Sequence, residues 1–308
     1  MSTACDVLGL GCVAVDDLLY VESFPPPDTK TRIRRRSRHC GGLTATALVA
    51  AARLGARCAY AGALGEDELS RFVLETFTRE GIDTAERVFR PGARPVASII
   101  VVDEQTGTRN IFFDLNGSQG AADDAPSADI IRACRVLLVD HFGVPGMVRA
   151  ARLAREAGIP VVADLERDDV AGFAELLALV DHLIVSAEFA RRLTGCGDPA
   201  AALPALGGPG RAVVAITVGE EGCYYALADG GTRHQPAFPV TPVDTTGCGD
   251  VFHGAYASAL ARGVDASGCV RFAAAAAALK ATQPGGQAGI PDRATVEAFL
   301  TSAAGGAR

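Results

Sequence analysis

The sequence predicts an α/β protein, with a mostly parallel sheet covered by helices on both faces and a smaller β-sheet beside it. Three observations carry that prediction. Short apolar runs alternate with helical stretches along most of the 308 residues, the pattern of strands buried on both faces. Glycines follow several of the helical stretches, where a left-handed residue stops a helix. Two segments, about 13–38 and 94–114, break the rhythm with extended sequence and no helix.

In chain order, Val7-Leu-Gly-Leu-Gly11 is a buried strand entering a loop. After the first excursion, the Ala- and Leu-rich stretch 45–54 closes on Gly55 and predicts a helix. Ala59-Tyr-Ala-Gly62 is the next strand, and Leu69, Phe72, Val73 and Phe77 recur at helical spacing up to Gly81. The second excursion holds Val96-Ala-Ser-Ile-Ile-Val-Val102, a Thr106-Gly107 turn and Arg109-Asn-Ile-Phe-Phe113, which together predict a hairpin. The two excursions are expected to pair into one small sheet. Its strand 96–102 is apolar at odd and even positions alike, so one face can cover an active site and the other a second subunit.

Strands are then expected at 136–140, 159–163, 182–185 and 212–217, with a helix at 147–157 ended by Gly158. Long helical stretches at 251–262, 265–282 and 292–303 finish the chain, with no fixed-period repeat and no low-complexity linker.

The balance of 29 basic against 36 acidic residues, a net charge of −7, argues against a general nucleic-acid binder. A local basic run, Arg32-Ile-Arg-Arg-Arg-Ser-Arg38, is the exception. Nine scattered cysteines form no C-x-x-C pair, so neither a zinc site nor a disulfide framework is suggested. Free thiols point to a reducing compartment. The N-terminus lacks a basic segment ahead of an apolar run, and no stretch approaches the roughly 20 apolar residues of a membrane span. A soluble, cytoplasmic protein without membrane or nucleic-acid partners is expected.

The chemistry concentrates in Val243-Asp-Thr-Thr-Gly-Cys-Gly-Asp-Val-Phe-His-Gly-Ala255. The glycines on either side of Cys248 let backbone N–H groups converge at a helix start, where the dipole favours an anion. A transferring phosphoryl group needs such a cradle. Asp250 falls in the first helical turn, where it can accept the proton of an attacking hydroxyl. There is no G-x-x-x-x-G-K-[ST], so this is not a P-loop enzyme, and no G-x-G-x-x-G follows the first strand as a dinucleotide domain would require.

This segment resembles the C-terminal motif of the PfkB/ribokinase family of carbohydrate kinases, and the resemblance extends over nearly the whole chain. It implies a ribokinase-like three-layer α/β/α domain over 1–308 with a β-sheet lid from the two excursions. It also implies ATP as the magnesium complex, a sugar acceptor, Asp250 as catalytic base and an anion hole at Gly247, Cys248 and Gly249. The first aspartate, Asp244, orders a neighbouring loop and leaves room for K+. Cys248 stands where alanine is usual; it is either a small apolar residue or a thiol activated at the helix terminus.

On the sugar side, Gly11-Cys-Val-Ala-Val-Asp16 resembles the family's first-strand motif, which gives Asp16 the sugar hydroxyls. Gly41 and Gly42 resemble the glycine pair that lets the backbone approach the sugar. Thr46 and Ala14 replace asparagines of the family pattern. Asn116 and His141 are further candidates for substrate contact. On the nucleotide side, Thr217-Val-Gly219-Glu-Glu-Gly222 resembles the T-x-G-x-x-G stretch, and Gly286 lies in a late loop that closes around the nucleotide. The family's N-x-x-E segment falls near Ser186-Ala-Glu-Phe189 without either residue in place. The C-terminal third resembles the sulfofructose kinase branch, with Lys30, Arg35, Arg36 and Arg109 as candidate sulfonate contacts. The specific activity is left open between a ribokinase, a fructose-type kinase and a 6-deoxy-6-sulfofructose kinase, with a non-catalytic nucleotide- or sugar-binding regulator as the rival class.

Overall fold

The structure is a computed structural model and describes residues 5–117 and 119–305. Its strands up to the lid hairpin are β1 (Cys5–Gly9), β2 (Ala14–Val21), β3 (Arg35–Gly41), β4 (Cys58–Tyr60), β5 (Ala63–Leu64), β6 (Val88–Phe89), β7 (Val96–Asp103) and β8 (Arg109–Asp114). After it come β9 (Cys134–Val139), β10 (Val161–Asp164), β11 (His182–Ser186), β12 (Val213–Thr217), β13 (Cys223–Leu227) and β14 (Thr232–Gln235). The earlier helices are α1 (Leu43–Arg53), α2 (Glu68–Arg79), α3 (Ala128–Arg132), α4 (Val144–Glu156) and α5 (Phe173–Leu179). They are followed by α6 (Ala187–Thr194), α7 (Pro199–Leu206), α8 (Cys248–Ala261), α9 (Ala266–Ala281) and α10 (Arg293–Gly305).

The larger sheet has the order β14-β13-β12-β11-β10-β9-β1-β4. From β4 to β12 neighbouring strands are parallel, and β13 and β14 add an antiparallel edge. Alternate residues of each strand feed opposite faces. Val7, Val136, Leu138, Val162 and Ile184 pack with α1, α8 and α9, whereas Leu8, Leu137, Val139, Val161 and Leu183 pack with α4, α6 and α7. Fully burying one such side chain stabilises the fold by roughly 1.5–3 kcal/mol. Two helical layers therefore sandwich the sheet, as the near-continuous apolar strands require.

Strand β1 has β4 on one side and β9 on the other. The chain thus leaves β1 in one direction and resumes in the other, which opens a crevice at the carboxyl ends of β1 and β9. The two excursions do form one sheet, in the order β3-β2-β7-β8. Its centre is a parallel pair, Ala14↔Val96 through Val21↔Asp103, flanked by antiparallel neighbours. That sheet begins within a few residues of β1, at Ala14.

Candidate active site

Because β1 and β9 to β12 are parallel, their carboxyl ends meet at one edge of the sheet. Asp140 directly follows β9, and Asp164, Ser186 and Thr217 close β10, β11 and β12. Helix α8 starts beside them. Its N-cap is Gly247 at φ 76°, with no side chain bonded to the first turn. An uncapped start of a 14-residue helix offers N–H groups and positive dipole to an anion. The turn is braced: Cys248 N–H donates to Thr245 O at 3.2 Å, and Val251 N–H to Gly247 O at 2.9 Å.

Asp250 lies in this first turn and is half-buried. Burial pushes its pKa well up, and the negative charges of Asp164 and Glu166 raise it further, against an opposing influence from His253. Asp164 is buried, and burial followed by the Glu166 charge raises it too. Helical spacing brings His253 back under the turn. Its Nδ1 is 2.8 Å from Gly249 O and 3.2 Å from Asp164 Oδ2, and its Nε2 is 3.1 Å from Ile184 O. The ring thereby ties the start of α8 to β10 and β11. A half-exposed carboxylate of raised basicity beside a helix N-terminus can take a proton while an anion is held next to it.

At the switch point, Asp140 is fully buried and organises the crevice floor. Its Oδ2 accepts from Cys12 N–H (2.6 Å) and the Thr44 hydroxyl (2.9 Å), and its Oδ1 from Phe142 N–H (2.8 Å). Burial nonetheless raises its pKa to about 6. Strand alternation on β2 separates the two neighbouring acids. Asp17 pairs with Arg38 and Arg36, whereas Asp16 is held by Ser98 and lies where a Cβ on Gly41 would approach Oδ2 to 2.4 Å. Gly42 caps α1 at φ 94°, where a Cβ would meet Cys12 O and Ala14 N at 2.8 Å. Glycine is required there on both counts. Asp16, Gly41 and Gly42 are thus brought together at the end of the smaller sheet nearest β1.

The remaining candidates are placed as follows. Thr46 is buried, and its hydroxyl accepts from Gln287 Nε2 at 3.2 Å, tying α1 to the loop after α9. His141 is buried against Phe142, its Nδ1 faces Glu166 N–H at 3.4 Å, and burial lowers its pKa to about 4, so the ring is neutral. Asn116 is exposed beyond β8, with its N–H on Asp114. Thr217 ends β12, and Gly219 and Gly222 bound the short helical turn before β13. Ser186 caps α6 by accepting from Phe189 N–H at 3.2 Å. Gly286 faces Gly247, its carbonyl oxygen 3.1 Å from where a Cβ on Gly247 would stand.

Asp244 anchors the loop before α8. Its Oδ1 accepts from Thr246 N–H and its Oδ2 from Gly285 N–H, both at 2.8 Å. Of the two readings of Cys248, the small apolar residue is the one its surroundings favour: burial raises its pKa, outweighing the neighbouring Lys280 charge, and Sγ is turned toward Ala277 O at 3.6 Å. From the smaller sheet, Arg109 Nη1 donates to the Thr246 hydroxyl at 2.9 Å, so β8 reaches the loop before α8.

Residues 6–293 match the sequence profile described as pfkB family carbohydrate kinase. The chain belongs to that family. This pfkB carbohydrate kinase is 28% identical over 303 residues to the ribokinase of Haemophilus influenzae, covering 96% of this chain and 98% of that protein. It is also 28% identical to a nucleoside kinase of Methanothermobacter thermautotrophicus, over 95% and 94% of the two chains. Among solved structures, it superposes on an Agrobacterium tumefaciens protein provisionally described as a ribokinase with a TM-score of 0.90, at 30% identity and 97% and 98% coverage. As a pfkB carbohydrate kinase it is a phosphotransferase with an alcohol group as acceptor. No helix among the described residues is long and apolar enough to cross a membrane.

Sequence reading passed over Asp140, Asp164, Glu166, His253 and Lys280. Asp140 and Asp164 were legible as acids closing apolar runs. Nothing local marks His253 or Lys280, which sit inside mostly apolar, alanine-rich helices.

Proposed function

We propose that this kinase transfers the γ-phosphoryl group of ATP to a hydroxyl of a small sugar, with Asp250 as general base. The observation that carries the reading is Asp250 in the first turn of α8, half-buried and of raised basicity, beside an uncapped helix start. In this reading the sugar hydroxyl oxygen forms a bond to the γ-phosphorus and gives its proton to Asp250. The bond from that phosphorus to the bridging oxygen breaks, and ADP leaves. Backbone N–H groups of Gly247, Cys248 and Gly249 hold the equatorial oxygens, where charge is spread in the transition state.

The sugar hydroxyls are assigned to Asp16 and to the backbone at Gly41 and Gly42, with Asn116 and His141 at the border and Thr46 acting through Gln287. The nucleotide is assigned to Thr217, Gly219, Gly222 and Gly286. Mg2+ is assigned to the ATP phosphates, on which it arrives. When bound there it neutralises charge on the phosphoryl oxygens. The Arg109 bond to Thr246 supports a lid that closes over the site and keeps water from the phosphoryl group. The need for ATP suits a cytoplasmic location.

Ribose or a fructose-type sugar is the favoured acceptor class. The sulfofructose reading asks for free lid cations, yet Arg35 stacks on Tyr20 at 3.5 Å and Arg36 pairs with Asp17 at 3.3 Å. A second copy of this chain is the partner assigned to the lid. Ile99, Ile111, Phe112 and Phe113 are 50%, 51%, 56% and 65% exposed, and β8 is an edge strand, a combination that favours association.

The deciding experiment is ADP release with ribose, fructose, 6-deoxy-6-sulfofructose and nucleosides as acceptors. Asp250→Asn is expected to cut turnover by about 10²–10⁴-fold. Turnover that survives this change undiminished would remove Asp250 as the base, and turnover confined to nucleosides would overturn the sugar assignment.

A further inference from the structure

Lys280 is fully buried, at 0% exposure, on the last turn of α9. A buried ammonium is costly unless something on the spot uses its charge. Its Nζ donates to the main-chain oxygen of Asp244 at 2.8 Å. The same face of α9 holds the rest of that loop: Ala281 O accepts from Val243 N–H at 2.7 Å and from Asp244 N–H at 3.1 Å, and Ala277 O faces Cys248 Sγ. The ammonium therefore stands under the loop that leads into the anion hole, with Asp244 and Cys248 both within reach of its charge.

The sequence leaves room for K+ at this loop. A K+ ion is held by oxygen atoms that replace its water shell. Here the main-chain oxygen of Asp244 faces the ammonium, Oδ1 takes Thr246 N–H and Oδ2 takes Gly285 N–H. Each oxygen of the residue expected to organise the ion already meets a donor, and one donor is itself a cation. The residues present do not fit a monovalent metal ion beside Asp244.

We propose that Lys280 is a tethered cation that replaces a monovalent metal ion in the loop 243–249, so that the protein neither binds nor requires K+ there. The ammonium draws the Asp244 carbonyl down, balances the Asp244 carboxylate and sets the turn at Thr246 and Gly247 from which the phosphate-facing N–H groups project. A covalently attached cation is present at any salt composition, unlike a dissociable one.

The test compares buffers of equal ionic strength whose only monovalent cation is tetramethylammonium, Na+ or K+. For the wild-type protein without nucleotide, the thermal midpoint is expected to be the same in all three, and Tl+ (a K+ surrogate followed by its own NMR signal) is expected to show no specific binding. Turnover should agree within about 2-fold across the salts. In Lys280→Ala, which opens the space, the midpoint is expected to fall and to be partly restored by K+ or Tl+ but not by tetramethylammonium. A K+-specific rise of the wild-type midpoint, saturable Tl+ binding to the wild type, or wild-type activation of about tenfold by K+ would overturn the proposal. The wild-type melting and Tl+ measurements decide it even if Lys280→Ala fails to fold, and they do so without an identified sugar.

Discussion

Asp250 works in company, and its neighbours set when it is ionised. Burial is the largest cause of its raised pKa, and Asp164 and Glu166 add negative charge. As the proposed base, Asp250 must be deprotonated to act, so activity should fall on acidification through that raised pKa. Glu166→Gln removes one like charge, which lowers the pKa of Asp250. The acid limb of kcat against pH should therefore move to lower pH than in the wild type, a displacement measured by a pH profile of both proteins. An unchanged acid limb would mean that the Glu166 charge does not reach the base. The sequence pointed to Asp250 because a glycine frame and a helix start are local features. His253 was illegible there, since its meaning comes from Gly249, Asp164 and Ile184, which lie on three different elements.

Among the elements, α8 depends on its N-cap as well as on its buried side chains. Gly247 has φ 76°, and a Cβ there would stand 3.1 Å from Gly286 O. A left-handed L-residue costs roughly 1–2 kcal/mol. Gly247→Ala should therefore lower stability by about that amount in urea titration, and shift of the turn should lower kcat by about tenfold, the equivalent of 1.4 kcal/mol. A variant with wild-type kcat would show that the turn tolerates the shift. The strands of the main sheet were legible because double-sided burial leaves near-continuous apolar runs. The edge strand β14 was not, since Thr232–Gln235 is polar and half-exposed at a sheet edge. The lid hairpin could be read from its Thr106-Gly107 turn. The parallel β2–β7 pair could not, because its partners are some 80 residues apart and no local turn sets their register.

At the scale of the whole molecule, two helical layers sandwich the larger sheet, and the smaller sheet reaches the loop before α8 through Arg109 and Thr246. The exposed apolar residues of β7 and β8 make the lid the proposed surface for a second copy. Sedimentation of the wild-type protein should give a dimer, and the pair Phe112→Asp and Phe113→Asp should give a monomer with an unchanged far-UV circular dichroism spectrum. A wild-type monomer at all accessible concentrations would remove the dimer.

The sequence by itself determined the α/β class, the two excursions and the glycine-framed start of α8, because hydrophobic period and glycine placement act over a few residues. Only the tertiary structure decided that Asp140 binds the crevice floor together and that Asp16 and Asp17 face opposite ways in their pairing. It also put the ammonium of Lys280 on Asp244, thirty-six residues back in the chain. Such contacts join residues far apart in sequence, and their chemistry is set by burial and by partners that strand order brings together. A lysine in an alanine-rich helix has no local mark of its role until the loop it supports is in view.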